Sequence, residues 1–311
     1  MATFRVVVTD QVFPDVDVER ALLAEVDADL TVATGDRAAV LASARDADAL
    51  LNTYFGFDAA SIAELERCRI IARYGIGVDN IDLDAARKAG MAVTNVPDYC
   101  VEEVATHTIG MLLALARRIP EGDALVRAGK WGIGDLGPVH RFSGLTVGLV
   151  GYGRIARQVA TLVRALGAQV VAFDPYVTSA EDRLVSLDEL LATSDAVCVH
   201  CPLTDDTRGL IDARALASMK SDAVLVNTSR GPCVVLDDVL DALREGRIGG
   251  AALDVFDTEP PSTDKLTGVP NLLTTPHSAF YSRESIRESQ QKAATQVVKA
   301  LTGEPLDYQV T

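Results

Sequence analysis

Leu145-Thr146-Val147-Gly148-Leu149-Val150-Gly151-Tyr152-Gly153-Arg154-Ile155-Ala156 is the stretch whose reading decides the fold. An apolar run enters a tight glycine turn, and the turn enters a helix. The spacing is G-x-G-x-x-A, a form of the dinucleotide-binding strand–turn–helix unit. Gly151 allows the sharp turn, Gly153 lets backbone approach a pyrophosphate, and Ala156 lets helix pack closely on strand. The helix N-terminus offers unpaired N–H groups and partial positive charge to phosphates, and Arg154 adds a full charge. Such spacing is weak evidence alone, because glycine turns after strands are common. Asp174 strengthens it. It follows the next apolar run, 21 positions after Gly153. A carboxylate there hydrogen-bonds the adenosine ribose and repels a 2′-phosphate, which favours NAD(H) over NADP(H). Its plainer reading is a turn residue before Pro175.

Outward from this unit, apolar runs and helical patterns alternate. Downstream, Val147–Val150, Val170–Phe173, Ala196–His200, Ala223–Asn227, Gly250–Leu253 and Leu272–Thr274 read as six strands of one doubly wound sheet. Upstream, Arg5–Asp10, Ala49–Asn52, Ile70–Tyr74 and Met91–Asn95 read as strands, with helices at Val18–Val26 and Asp82–Ala89. The residues before Asn95 therefore form an α/β unit of their own with a parallel sheet. Val101–Arg118 reads as a long helix, apolar on most faces and expected to be buried between domains. A polar, glycine-rich segment, Gly129–Gly137, leads to the fingerprint. A last helix, Glu284–Leu301, is expected to pack back on the first domain. The expected division is 1–98 with 283–311, and 99–282.

With 311 residues, 48% of them hydrophobic, the chain can build two substantial cores. Its 29 basic and 44 acidic residues leave a net charge of −15, which argues against nucleic acid or an anionic membrane as partner. Cys198 and Cys201 form a C-x-x-C, but inside an apolar run where they project to opposite faces. Buried thiols are expected there rather than a metal site. No signal segment or 18-residue apolar run is read in the sequence, and a cytoplasmic protein is expected.

A second constellation lies after the later strands. Asn227-Thr228-Ser229-Arg230-Gly231 follows one strand, Asp254 through Glu259-Pro260 the next, and Thr275-Pro276-His277-Ser278 the last. Ligands of doubly wound sheets bind outside the carboxyl ends of strands. Taken singly, Arg230 is a surface ion pair, Glu259 a turn residue and His277 a strand cap. Together they make chemical sense. Arginine grips a carboxylate bidentately, histidine exchanges a proton near neutral pH, and a neighbouring glutamate orients the imidazole. Hydride transfer at a 2-keto or 2-hydroxy acid needs these three functions beside a nicotinamide.

Gly151–Ala156, Asp174, His200-Cys201-Pro202-Leu203-Thr204, Asn227–Gly231, Gly250–Val255, Glu259-Pro260 and Thr275-Pro276-His277 together resemble the D-2-hydroxyacid dehydrogenase family. That family includes phosphoglycerate dehydrogenases, glyoxylate/hydroxypyruvate reductases and the C-terminal-binding-protein corepressors. The resemblance runs nearly end to end. It implies two Rossmann-like doubly wound parallel-sheet domains, the NAD domain inserted into a flavodoxin-like substrate domain. It implies that Arg230 binds the substrate carboxylate, His277 is the acid/base and Glu259 its partner. It places Gly151, Gly153, Arg154, Ile155, Asp174, Cys201, Pro202, Thr207, Thr228, Ser229, Arg230, Asp254 and His277 at the cofactor. It places the backbone of Tyr74, Gly75, Ile76 and Gly77 at the substrate.

Val101-Glu102-Glu103 and His277–Ser282 are most similar to the corepressor branch, although Phe280 stands where that branch usually has tryptophan. Thr106 and Val235-Leu236 depart from the phosphoglycerate enzymes, and no cationic cluster for a substrate phosphate is visible. A chain ending at Thr311 is expected to lack their C-terminal regulatory domain. Tyr54, Phe55, Tyr74, Ile76, Phe280 and Tyr281 are candidates for the pocket wall. The resemblance also implies a homodimer through Val101–Arg118 and Gly129–Arg141, and closure about Pro97–Cys100 and Ala279–Glu284. The expected activity is an NAD-dependent reductase or dehydrogenase of a small 2-keto or 2-hydroxy acid. The alternative is an NAD(H)-sensing interaction module. Of the other histidines, His200 is expected near the cofactor without a proton-transfer role, His107 packed or near the cofactor by its backbone, and His140 exposed.

Overall fold

The computed structural model describes residues 3–311; residues 1 and 2 of the expected first segment lie outside the described residues. The chain divides into two compact units, one made of everything up to Tyr99 with Ser282–Thr311, the other Cys100–Tyr281. Among the described residues no helix is long and apolar enough to cross a membrane.

In the first unit, β1 (Phe4–Val8), β2 (Ala28–Val32), β3 (Ala49–Asn52), β4 (Ile70–Arg73) and β5 (Ala92–Thr94) form one sheet in the order β2-β1-β3-β4-β5. Every pairing is parallel, and the order is that of flavodoxin-like folds. β3 and β4 are buried at every position, as central strands covered on both faces must be. Sequence reasoning passed over β2, an edge strand of which only Leu30 is buried. Asp36, Asp58 and Asp82 start three of the helices by accepting from the N–H three residues on. The closing helix, Arg283–Thr302, begins with a Ser282/Ser285 capping box and ends at Gly303 in the left-handed region. It packs on the helix Asp17–Ala24 and on β3 and β4.

The second unit holds β6 (Thr146–Val150), β7 (Gln169–Phe173), β8 (Arg183–Leu184), β9 (Ala196–Val199), β10 (Val224–Asn227), β11 (Gly250–Leu253) and β12 (Leu272–Thr274). Their order is β12-β11-β10-β9-β6-β7-β8, so the strand order reverses between β6 and β9. That reversal is where doubly wound sheets open a crevice for ligands. The expected six strands become seven, because β8 is two residues of an edge with no periodicity to read. The Val101–Ala116 helix belongs to this unit and packs on the helix Arg154–Ala165, β10 and β11. Ile109, Met111, Leu112 and Leu115 share one core cluster with Val147, Val159 and Val163. Its apolar faces thus serve this unit's own core, a correction to the expectation of a helix between domains. A further helix, Ile119–Arg127, follows with no buried residue. Its exposed apolar side chains disguised it in the sequence.

Candidate active site

The glycine turn is built as its spacing requires. Gly151 has φ +89°, and a Cβ there would meet Cys201 N at 2.7 Å, so only glycine fits. Gly153 is the N-cap of the Arg154–Ala165 helix, with no side chain capping that end. A Cβ at Gly153 would meet nothing within 4 Å. Open backbone and an uncapped helix end are what a pyrophosphate needs. Arg154 is exposed and Ile155 half-buried on this first turn. Asp174 is half-buried, and its carboxylate accepts from Tyr152 N at 2.8 Å and Tyr176 N at 2.9 Å. It thereby ties the end of β7 to the glycine turn. These residues fit an adenine dinucleotide.

After β9, Cys201 is buried and Pro202 exposed. Thr207 Oγ1 donates to Pro202 O at 2.6 Å and accepts from Thr204 N at 2.8 Å, which closes the turn between them. After β10, the fully buried Asn227 organises the chain. Its Oδ1 accepts from Ser229 N at 3.0 Å and Ser229 Oγ at 2.9 Å, and its Nδ2 donates to Arg230 O at 2.9 Å. Thr228 turns its hydroxyl to Thr108 Oγ1, 2.8 Å away. Arg230 is half-buried, with Nη1 donating to Ser229 O at 2.8 Å. A side chain on Gly231 would overlap the Phe256 carbonyl, so the arginine turn and the chain after β11 pack backbone to backbone.

After β11 and β12 the remaining two groups meet. His277 Nδ1 lies 2.7 Å from Glu259 Oε2, and Glu259 Oε1 accepts from Phe256 N at 3.0 Å. The glutamate is held on one oxygen and orients the ring with the other. Burial pushes the Glu259 carboxyl up. The hydrogen bonds from His277 and Phe256 and the charges of His277 and Arg230 outweigh that and hold it below its ordinary value. The structure therefore brings Arg230, Glu259 and His277 together. Both partners of the pair are about one-third exposed or less, at 27% and 33%, so the ring is open to a ligand. His277 sits at φ +50°, with its N–H donating to Asp254 O at 2.8 Å. Asp254 is buried, and its carboxylate is engaged by Thr275, Ser278 and Ala279 of the turn that carries His277.

Burial pushes the His200 imidazole down to about 4, and its Nε2 finds no hydrogen-bond partner among the described residues. It is a neutral ring at pH 7. His140 is exposed and pairs with Asp222 at 3.0 Å. Sequence reasoning gave no role to Asn227 or to the contact of His107 Nε2 with Thr275 Oγ1 at 3.1 Å, since neither residue type at its position announces a tertiary hydrogen bond.

The loop after β4 belongs to the first unit. Tyr74 and Gly75 are buried, Ile76 and Gly77 half-buried. The carbonyls of Tyr74, Gly75 and Ile76 accept from Ser289 Oγ, Val96 N and Asn95 Nδ2. The Tyr74 N–H is already spent on Asn52 O at 2.9 Å, so the loop's remaining backbone donors are the amides of Gly75, Ile76 and Gly77. Arg73, buried and bonded through Nε to Asn80 Oδ1, packs so closely on Gly75 that a side chain there would overlap its guanidinium.

Residues 109–279 match the family described as D-isomer specific 2-hydroxyacid dehydrogenase, NAD binding domain. The chain is 40% identical over 279 residues to a D-3-phosphoglycerate dehydrogenase of Mycobacterium leprae, covering 86% of this chain and 52% of that protein. It thus spans about half the length of the phosphoglycerate dehydrogenases it matches. It is 38% identical over 228 residues to glyoxylate/hydroxypyruvate reductase A of Arabidopsis thaliana, covering 73% of each. The crystal structure of a D-lactate dehydrogenase from Aquifex aeolicus, complexed with NAD and lactic acid, superposes with a TM-score of 0.87 at 29% identity over 96% of each chain. With the glycine turn, the switch-point sheet and the His277–Glu259 pair already in place, these matches settle its kinship: the chain belongs to the D-isomer specific 2-hydroxyacid dehydrogenases.

Proposed function

We propose that this protein is an NAD-dependent dehydrogenase of a small 2-hydroxy acid, equally a reductase of the corresponding 2-keto acid. The observation that carries the reading is the 2.7 Å contact of His277 Nδ1 with Glu259 Oε2, beside Arg230, at the ends of consecutive strands. A bound nicotinamide dinucleotide supplies or accepts the hydride. The chain supplies the rest. Arg230 holds the substrate carboxylate and polarises the adjacent carbonyl. His277 Nε2 gives a proton to the carbonyl oxygen in reduction and takes it back in oxidation. Glu259 keeps the ring oriented through its contact with Nδ1. The amides of Gly75, Ile76 and Gly77 are the further substrate contacts in this reading, while the Tyr74 amide stays bonded to Asn52 O.

Gly151, Gly153, Arg154, Ile155, Cys201, Pro202, Thr207, Thr228, Ser229 and Asp254 complete the proposed cofactor set, and Asp174 is the proposed reason for NAD(H) over NADP(H). We assign 1–98 with 283–311 as substrate domain and 99–282 as cofactor domain. The five cysteines are thiols, which suits the cytosol. The relatives reported above are named dehydrogenases and reductases, which favours the enzyme over an interaction module. We also propose a homodimer, because Ile119, Val126, Trp131 and Ile133 are all more than half exposed on one segment of the second unit.

A panel of 2-keto acids tests this reading by the loss of reduced-nicotinamide absorbance. At least one acid should turn over with NADH at a kcat on the order of 1–10³ s⁻¹, and more slowly with NADPH. NADH binding without turnover on any acid would favour the interaction module.

A further inference from the structure

The turn that carries His277 is held from behind by a buried polar chain. Asp254, at the end of β11, is 1% exposed. Its Oδ1 accepts from Thr275 Oγ1 at 2.5 Å and Ser278 N at 2.9 Å, and its Oδ2 from Ala279 N at 3.0 Å. The Thr275 hydroxyl has one proton, and its bond to Asp254 uses it. His107 Nε2 stands 3.1 Å from the same hydroxyl oxygen. Only a lone pair is left there, so His107 must donate, which fixes its tautomer with the proton on Nε2. The same nitrogen is 3.7 Å from Asp254 Oδ1. His107 rides on the Val101–Ala116 helix, which Ile109, Met111 and Leu112 anchor in the core. A rigid helix thus reaches a strained turn through two hydrogen bonds.

The strain is local. A histidine at φ +50° is uncommon and persists only where its surroundings impose it. Here they do, through Asp254 O and Thr275 O on the His277 N–H at 2.8 and 3.1 Å, and through the Asp254 carboxylate on the next two amides.

We propose that His107 is a positioning residue: its Nε2–H orients the Thr275 hydroxyl onto Asp254 and so fixes the turn that aims the His277 ring. It rests on the reading of His277 as the acid/base group. The effect of His107 passes through Thr275 and Asp254.

The experiment compares His107→Leu, His107→Gln and Thr275→Val by kcat, KM for NADH, and amide hydrogen exchange at Ser278 and Ala279. Leucine removes the donor; glutamine returns an N–H donor near the position of Nε2. His107→Leu should lose roughly 10- to 100-fold in kcat, the scale of a misplaced catalytic group. KM for NADH should stay within about twofold, and both amides should exchange faster. His107→Gln should recover both readouts. The double variant His107→Leu/Thr275→Val should be no worse than either single one, since both break one chain. Wild-type kcat and exchange in His107→Leu would overturn the proposal, as would glutamine doing no better than leucine. Should His107→Leu fail to fold, unchanged exchange in Thr275→Val overturns it equally. A wild-type protein that turns over no keto acid would sink the acid/base reading alone. The exchange readout still decides the positioning claim.

Discussion

His277 and Glu259 show how little sequence separation says about contact. Their positions are 18 apart in the chain, yet the ring nitrogen and the carboxylate are 2.7 Å apart. β11 and β12 run side by side, and each delivers one of them at its carboxyl end. Glu259→Gln keeps the shape and removes the charge. We expect kcat to fall by roughly 10²- to 10⁴-fold, the range for an impaired general acid–base pair, with NADH affinity nearly unchanged. Steady-state kinetics with fluorescence titration of NADH checks this, and a full-rate Glu259→Gln would remove the glutamate from the account. Arg230, Glu259 and His277 were legible in the sequence because all three follow consecutive strands, at the ends where doubly wound sheets bind ligands. Asn227 and His107 were not, because their roles exist only as hydrogen bonds to partners that folding brings near.

At the scale of elements, the buried strands and long helices were legible and the edges were not. β3, β4, β9 and β10 are buried at every position, so their apolar runs had no competing reading. β2 and β8 are edge strands with too few buried residues to show a period. The helix Asp17–Ala24 carries a further feature no periodicity announces, the fully buried Glu19. Its carboxylate takes Tyr74 Oη at 2.7 Å and Gln290 Nε2 at 3.1 Å on each oxygen. Burial raises its pKa, and the hydrogen bonds from Tyr74 and Gln290 only partly offset that. The folded state thus holds the proton more tightly than the unfolded chain. Glu19 therefore contributes most stability below the unfolded value of about 4.3, and loses it as pH rises through the folded value. Glu19→Gln removes that titration. Urea unfolding at several pH values should show wild type losing ground to Glu19→Gln as pH rises above about 4, on the order of 1 kcal/mol. Parallel curves would contradict it.

For the whole molecule, two parallel α/β units were foreseeable from the alternation of strands and helices, while the partner of a surface was not. Trp131 and Ile133 are 91% and 87% exposed, an unusual position for side chains this large and apolar. In the proposed homodimer a second copy covers them. Sedimentation of Trp131→Asp/Ile133→Asp should then show a monomer where the wild type is a dimer, and a wild-type monomer would remove the homodimer from the account.

The central claim, that His277 moves the proton while the glycine turn holds the dinucleotide, is tested most directly by His277→Ala. Its turnover and its NADH dissociation constant are measured on one preparation. The account predicts kcat down by about 10²-fold or more, with the dissociation constant within about threefold of wild type. Turnover at the wild-type rate would contradict it.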